Sequence, residues 1–161
     1  TVVIVDLLEH VRDDRALIAG IHRALRAGGT LIANVPLHRE RSLIRRIRNR
    51  LGLTDERHGH VRPGYTPEGL RALLAGFFTV TDERRYSGFC TELLDAAINA
   101  ALKGGGHGAK GLVVTEADLE RNRGKYRLYA ALYPFMLAFS RLDRVLPFGG
   151  KHKLIVKAVR A

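Results

Sequence analysis

The chain has 161 residues, with 27 Lys and Arg against 16 Asp and Glu, a formal net charge of +11 at pH 7. Hydrophobic residues make up 46% and charged residues 27%, a globular balance that excludes a wholly disordered or collagen-like chain and fits one ordinary domain or part of a larger one. A single cysteine, Cys90, excludes an intramolecular disulfide framework and agrees with a reducing, cytoplasmic setting.

The only methionine is Met136, and the chain opens on the apolar run Val2 to Val5, so it reads as a fragment whose N-terminal part is missing. That β-branched run predicts a strand covered on both faces, as in a parallel sheet. Asp13 or Asp14 can cap a helix carrying Leu17, Ile18, Ile21 and Leu25 on one face, with Gly28-Gly29 ending it. Thr30 to Val35 reads as a second buried strand stopped by Pro36, which completes a βαβ unit. From Arg39 to Arg50 six arginines accompany Leu43, Ile44, Ile47 and Leu51, the pattern of a basic amphipathic helix. A loop follows from Gly52 to Tyr65. Thr66 and Pro67 then open a short helix with Leu70, Leu73 and Leu74 inward, and Phe77 to Thr81 form a third strand.

Thr91 to Lys103 is helical by its apolar spacing, and Gly104 to Gly108 break it. Thr115 and Asp118 resemble a capping box for a long helical segment that Pro134 should kink or split. Leu154 to Val159 is a closing strand. Strands alternating with helices argue for an open α/β sheet covered on both faces, where ligands sit beyond the carboxyl ends of the parallel strands.

Chemistry-bearing residues gather at those positions. Asp6, Glu9 and His10 follow the first strand at a spacing that brings all three to one side if the chain turns helical. Two carboxylates and an imidazole can hold a divalent cation or supply a general base, while the plainer reading is a capped and solvated turn. In the loop before the third helix, His58, His60, Arg62 and Tyr65 can orient or deprotonate an acceptor hydroxyl, or simply tie the loop to the sheet.

Three segments in order carry a resemblance. These are Asp6-Leu-Leu-Glu-His-Val-Arg-Asp-Asp14, Arg23-Ala-Leu-Arg-Ala-Gly-Gly-Thr-Leu-Ile-Ala-Asn-Val-Pro36, and His60-Val-Arg-Pro-Gly-Tyr-Thr66 with Gly76-Phe77 after the next helix. Together they resemble the second half of a class I S-adenosylmethionine-dependent methyltransferase. The likeness covers roughly residues 1–85, with Lys151 to Arg160 as the last strand.

The resemblance implies the C-terminal half of a doubly wound, mostly parallel Rossmann-like sheet. Thr1–Val5, Thr30–Val35 and Phe77–Arg84 would be its fourth to sixth strands. His152–Arg160 would be the seventh, running antiparallel between the two before it. The earlier strands, with the glycine-rich loop and the ribose-binding acid, would lie outside this sequence. The implied division is 1–88 and 151–161 as core and 89–150 as a helical insertion.

It also implies S-adenosylmethionine as cofactor, with Val5, Asp6 and Leu7 lining it. The ubiquinone-type O-methyltransferases of this group carry Glu-x-x-Glu-His where this chain has Asp6, Glu9 and His10, which makes those three the metal candidates. His10 and His60 are the candidate catalytic residues, and Arg62 and Tyr65 the candidate acceptor contacts. Methyl transfer is mostly positioning of an already activated donor, so the absence of a triad is no objection.

The basic helix and the insertion bear on partners. Arginines neutralise phosphates, but no aromatic residue is interleaved to stack bases, so RNA is the weakest reading of that helix. A solvated face and an anionic membrane surface are the other two. Leu128 to Phe139 is 12 residues without a charge, too short to span a bilayer, which needs about 20. It can lie at a membrane interface, lid an apolar acceptor, pair with a second subunit, or pack on its own domain. The expected function is therefore methyl transfer at oxygen to a small or lipid-linked acceptor. The rival is a non-catalytic basic α/β module binding anionic membrane or RNA.

Overall fold

The computed structural model describes residues 1–39, 42–55, 59–101, 116–145 and 149–160. The expected Gly104–Gly108 break, the cap at Thr115 and the candidate His58 lie outside the described residues. The sheet holds β1 (Val2–Val5), β2 (Thr30–Pro36), β3 (Phe78–Tyr86) and β4 (Lys153–Arg160), in the order β1-β2-β4-β3. β1 runs parallel to β2, and β4 is antiparallel to both of its neighbours, with Ala33 opposite Val156 on one side and Val80 opposite Ala158 on the other. The chain is thus a mixed α/β protein whose last strand is inserted between the two that precede it.

One face of this sheet is built from alternate residues, as a period of two requires. Ile4, Leu31, Ala33, Val35, Leu154, Val156 and Ala158 meet Ile18, Ile21 and Leu25 of α1 and its end (α1, Asp14–Ala24), and Leu70 and Leu74 of α3 (Pro67–Leu74). Both helices are capped as their sequences predict. The Asp13 carboxylate accepts the Ala16 N–H at 2.8 Å, and the Thr66 hydroxyl accepts the Gly69 N–H at 3.0 Å, with Pro67 in the first turn.

The expected cover on both faces does not extend to β1. Ile4 is buried, but Val3 and Val5 are 58% and 60% exposed.

The basic helix is α2 (Leu43–Arg50), capped by Ser42, whose hydroxyl accepts the Arg45 N–H. Ile44 is buried, whereas Leu43, expected on the same face, is exposed at the first helical position. Arg45 is paired with Asp55 at 2.8 Å, and Arg48 with Asp95 at 3.2 Å and Glu92 at 3.9 Å. Two of the arginines read as a solvent or ligand face therefore hold the helix to the protein.

α4 (Phe89–Ala101) packs on α2 and on α5 (Glu116–Val145). The two helices are joined at one end by Asp143, whose carboxylate accepts the N–H groups of Cys90 and Thr91 at 2.8 and 3.0 Å and the Thr91 hydroxyl at 2.6 Å. Contrary to expectation, Pro134 does not split α5, which is continuous over its 30 residues. A proline removes one donor from the ladder, and Pro134 is exposed, so the freed carbonyl of the preceding turn can turn to water. No helix among the described residues is long and apolar enough to cross a membrane.

Candidate functional site

The carboxyl ends of β1, β2 and β3 and the start of β4 meet at one margin of the sheet. The chain leaves β1 through Asp6, which has a left-handed backbone (φ 47°), and enters a single 3₁₀ turn, Leu8–His10. For a residue other than glycine that conformation costs energy and persists only where its surroundings hold it. The Asp6 N–H donates to the Asn34 carbonyl at 3.0 Å, the Asn34 amide donates to the Asp6 carboxylate at 3.3 Å, and the Lys153 ammonium lies 3.0 Å from both carboxylate oxygens.

The sequence expectation that Asp6 joins Glu9 and His10 in one metal-ligating set is corrected here. The left-handed residue and the 3₁₀ turn replace the α-helical spacing on which it rested, and Lys153 occupies the Asp6 carboxylate. The set that the fold brings together is Glu9, His10 and His60, with their ligand atoms all within 4.8 Å of one another. The two imidazoles meet edge to face, their centroids 4.7 Å apart.

A lattice of hydrogen bonds places the His60 loop there. The Val61 N–H donates to the Glu9 carbonyl at 2.9 Å. Arg62 donates to the carbonyls of Leu8 and Arg12 at 3.1 and 2.9 Å and pairs with Asp14, which also accepts the Tyr65 hydroxyl at 2.7 Å. On its other flank the loop donates the Tyr65 N–H to the Pro36 carbonyl, and the His38 N–H donates back to the Tyr65 carbonyl, both at 2.9 Å.

Arg62 and Tyr65 were read either as acceptor contacts or as part of a loop tied to the sheet, and in the structure both lace the loop to the 3₁₀ turn. Buried carbonyls and the Asp14 charge at that junction need donors, and these two side chains supply them. Burial, together with the Asp14 carboxylate, pushes the Tyr65 hydroxyl above its ordinary value, against the pull of Arg62.

Glu9 is 1% exposed and its Oε2 has no hydrogen-bond partner among the described residues. Burial, aided by the nearby Asp6 charge, raises its carboxyl above the usual range. His10 donates from Nδ1 to the Gly59 carbonyl at 3.1 Å, which leaves its Nε2 as the lone-pair nitrogen. Asp55 stands 3.7 Å from Nδ1 of His60.

Beside this set runs a polar row that sequence reading missed. The Tyr86 hydroxyl donates to the Asn34 side-chain carbonyl at 2.7 Å, and the Ser87 hydroxyl donates to Glu92 at 2.6 Å. Burial alone would lower the Lys153 ammonium, but Asp6, Glu92 and Tyr86 outweigh it and leave it raised. Burial likewise raises the Glu92 carboxyl, opposed by the Ser87 bond and Lys153. The available signal was an asparagine in the middle of the buried run Leu31 to Val35 and a lysine directly before the apolar run of β4.

Of the expected cofactor contacts, Val5 is 60% exposed and Leu7 36%, one on each side of Asp6. Two exposed apolar side chains thus flank the fixed Asp6 carboxylate.

No protein-family model matches the chain, and no curated protein does. Among solved structures, the crystal structure of MccD protein is similar at 12% identity, with a TM-score of 0.45 over 96% of this chain and 57% of that one. The chain thus spans little more than half the length of that structure.

Proposed function

We propose that the chain is the C-terminal part of a class I S-adenosylmethionine-dependent methyltransferase that methylates a small or lipid-linked acceptor at oxygen in the cytoplasm. In this reading residues 1–88 and 151–161 belong to a doubly wound, Rossmann-like core, and residues 89–150 are a helical insertion. The observation that carries it is the sheet order β1-β2-β4-β3 with β4 antiparallel between its neighbours, together with a left-handed Asp6 at the carboxyl end of β1. Ligand-binding crevices of open α/β sheets lie at such ends.

The cofactor supplies a methyl group already activated on a sulfonium. Val5 and Leu7 offer it apolar contact, and Asp6, held by Lys153 and Asn34, offers a fixed acceptor of hydrogen bonds. His10 follows a turn later with the His60 ring against it, where a hydroxyl of the methyl acceptor would lose its proton.

Calorimetry of the full-length protein with S-adenosylmethionine and with its demethylated product tests the reading. Saturable heat with both, weakened in Asp6→Asn, is expected. No heat with either overturns the assignment.

A second reading, a basic module that binds anionic membrane, is favoured by α5. Tyr133 and Phe135 are 63% and 60% exposed, and Leu128, Leu137 and Val145 are exposed with them. The exposed arginines Arg127, Arg141 and Arg144 flank this apolar stretch at both ends. An in-plane helix on anionic lipid needs that combination of apolar surface and cationic ends. Replacing Arg127, Arg141 and Arg144 by Gln should weaken binding to phosphatidylserine-containing vesicles about 100-fold, at roughly 1 kcal/mol for each charge near the surface. Sedimentation with vesicles checks it, and unchanged binding returns α5 to a role within the protein. Arg45 and Arg48 are poor probes of the same question, because replacing them breaks internal ion pairs.

A further inference from the structure

We infer that Glu9, His10 and His60 form a site for a divalent transition ion of the zinc type, bound by one carboxylate oxygen and two imidazole nitrogens. This deepens the proposed reading of the same residues and rests on it only for the reaction the ion would serve.

Three observations converge on it. The three ligand atoms lie within 4.8 Å of one another although they come from segments some fifty residues apart in sequence, close enough to meet on one ion by side-chain rotation. Glu9 is 1% exposed, yet Oε2 receives no hydrogen bond from the described residues. A buried carboxylate oxygen in that state is costly unless an ion or proton meets it. Nδ1 of His10 also donates to the Gly59 carbonyl at 3.1 Å, and the Asp55 carboxylate stands 3.7 Å from Nδ1 of His60. Ligating histidines are oriented and made more basic by such acceptors.

The donor set selects the ion. Two imidazoles with one carboxylate suit zinc and its first-row neighbours, while magnesium and calcium prefer oxygen throughout. Three protein ligands leave a further coordination position open, as catalytic zinc sites do. An ion there would make the hydroxyl of an acceptor more acidic. Asp6 takes no part, because Lys153 holds both of its carboxylate oxygens at 3.0 Å.

Calorimetric titration of the protein with Zn²⁺ and Mg²⁺, and the visible spectrum with Co²⁺, test the inference. One saturable Zn²⁺ site, a Co²⁺ spectrum of low coordination number and no saturable Mg²⁺ binding are expected. Glu9→Gln, which keeps the side-chain shape, and His60→Ala should each weaken Zn²⁺ binding more than about 100-fold, beyond the roughly 10–100-fold that an outer partner is worth. Asp6→Asn should change it less than about 10-fold, below that outer-partner range.

Absence of Zn²⁺ binding, preference for Mg²⁺, or affinity that survives Glu9→Gln and His60→Ala together would overturn the site. So would a loss in Asp6→Asn with His60→Ala unaffected. Zinc binding that fails while cofactor heat persists removes this inference alone. Zinc binding without cofactor heat removes the methyltransferase reading alone.

Discussion

Gly64→Ala is expected to destabilise the protein by about 3 kcal/mol or more, the range of a backbone forced into a glycine-only conformation and pressed on its neighbours. Gly64 has φ 105°, and a Cβ there would fall well inside contact distance of the Pro36 carbonyl oxygen. That oxygen is backbone and accepts the Tyr65 N–H at 2.9 Å, so it has no flexible end to swing away. Relief requires the 59–65 loop to lift from β2, which carries His60 away from Glu9 and His10.

Gly28→Ala is the matched control. Gly28 also has positive φ, 72°, but nothing lies within 4 Å of its added Cβ. It should cost only the left-handed penalty of about 1–2 kcal/mol. Urea denaturation of both variants gives the comparison, and equal losses would mean that the loop is not seated by that close approach.

Acidification should destabilise the fold through His152. This residue is 8% exposed and its Nε2 lacks a partner among the described residues. Burial lowers its pKa from 6.5 to about 4, with the Arg39 and Arg48 charges adding to the effect and Asp143 opposing it. Between those values the unfolded chain binds a proton that the folded chain refuses, so stability falls as pH drops from about 6.5 toward 4. The full loss from this group is up to about 3 kcal/mol.

Glu9 and Glu92 act in the opposite sense. Their raised values mean that the folded chain takes up protons first, which adds stability as pH falls through their range. The His152 contribution is therefore read as a difference. Between pH 7 and pH 4 the natural protein should lose about 2–3 kcal/mol more than His152→Gln. Equal slopes in urea denaturation at the two pH values would contradict the buried, neutral imidazole.

Local signals in the sequence located most of the elements. Asp13, Thr66 and Pro67 mark helix starts because capping is settled within four residues. The runs read as strands at Val2 to Val5, Thr30 to Val35 and Leu154 to Val159 are strands, the second continuing through Pro36 and the last widened by one residue at each end. What periodicity could not convey was distance between segments. Glu9 and His10 were legible as chemistry next to a strand end, and His60 as a loop histidine. Their meeting depends on Arg62 and Tyr65 finding Asp14 and the Leu8 carbonyl, a pairing across about fifty residues.

The same non-local pairing misled the reading of Asp6, since Lys153 lies at the far end of the chain. Arg45 and Arg48 show it again. Their charge is visible in the sequence, but whether it faces solvent is decided by Asp55, Glu92 and Asp95.

Among the described residues β1 is bonded to β2 alone, so the peptide groups along its other margin point toward open space. A further strand can dock along that margin by main-chain bonds alone. Exposed Val3 and Val5 would then give the newcomer an apolar ledge, and Ile4 would stay buried where it is. The sheet is in this sense extensible in one direction only, because β3 at the opposite end carries Asp82, Arg84 and Arg85, charges that discourage a further strand.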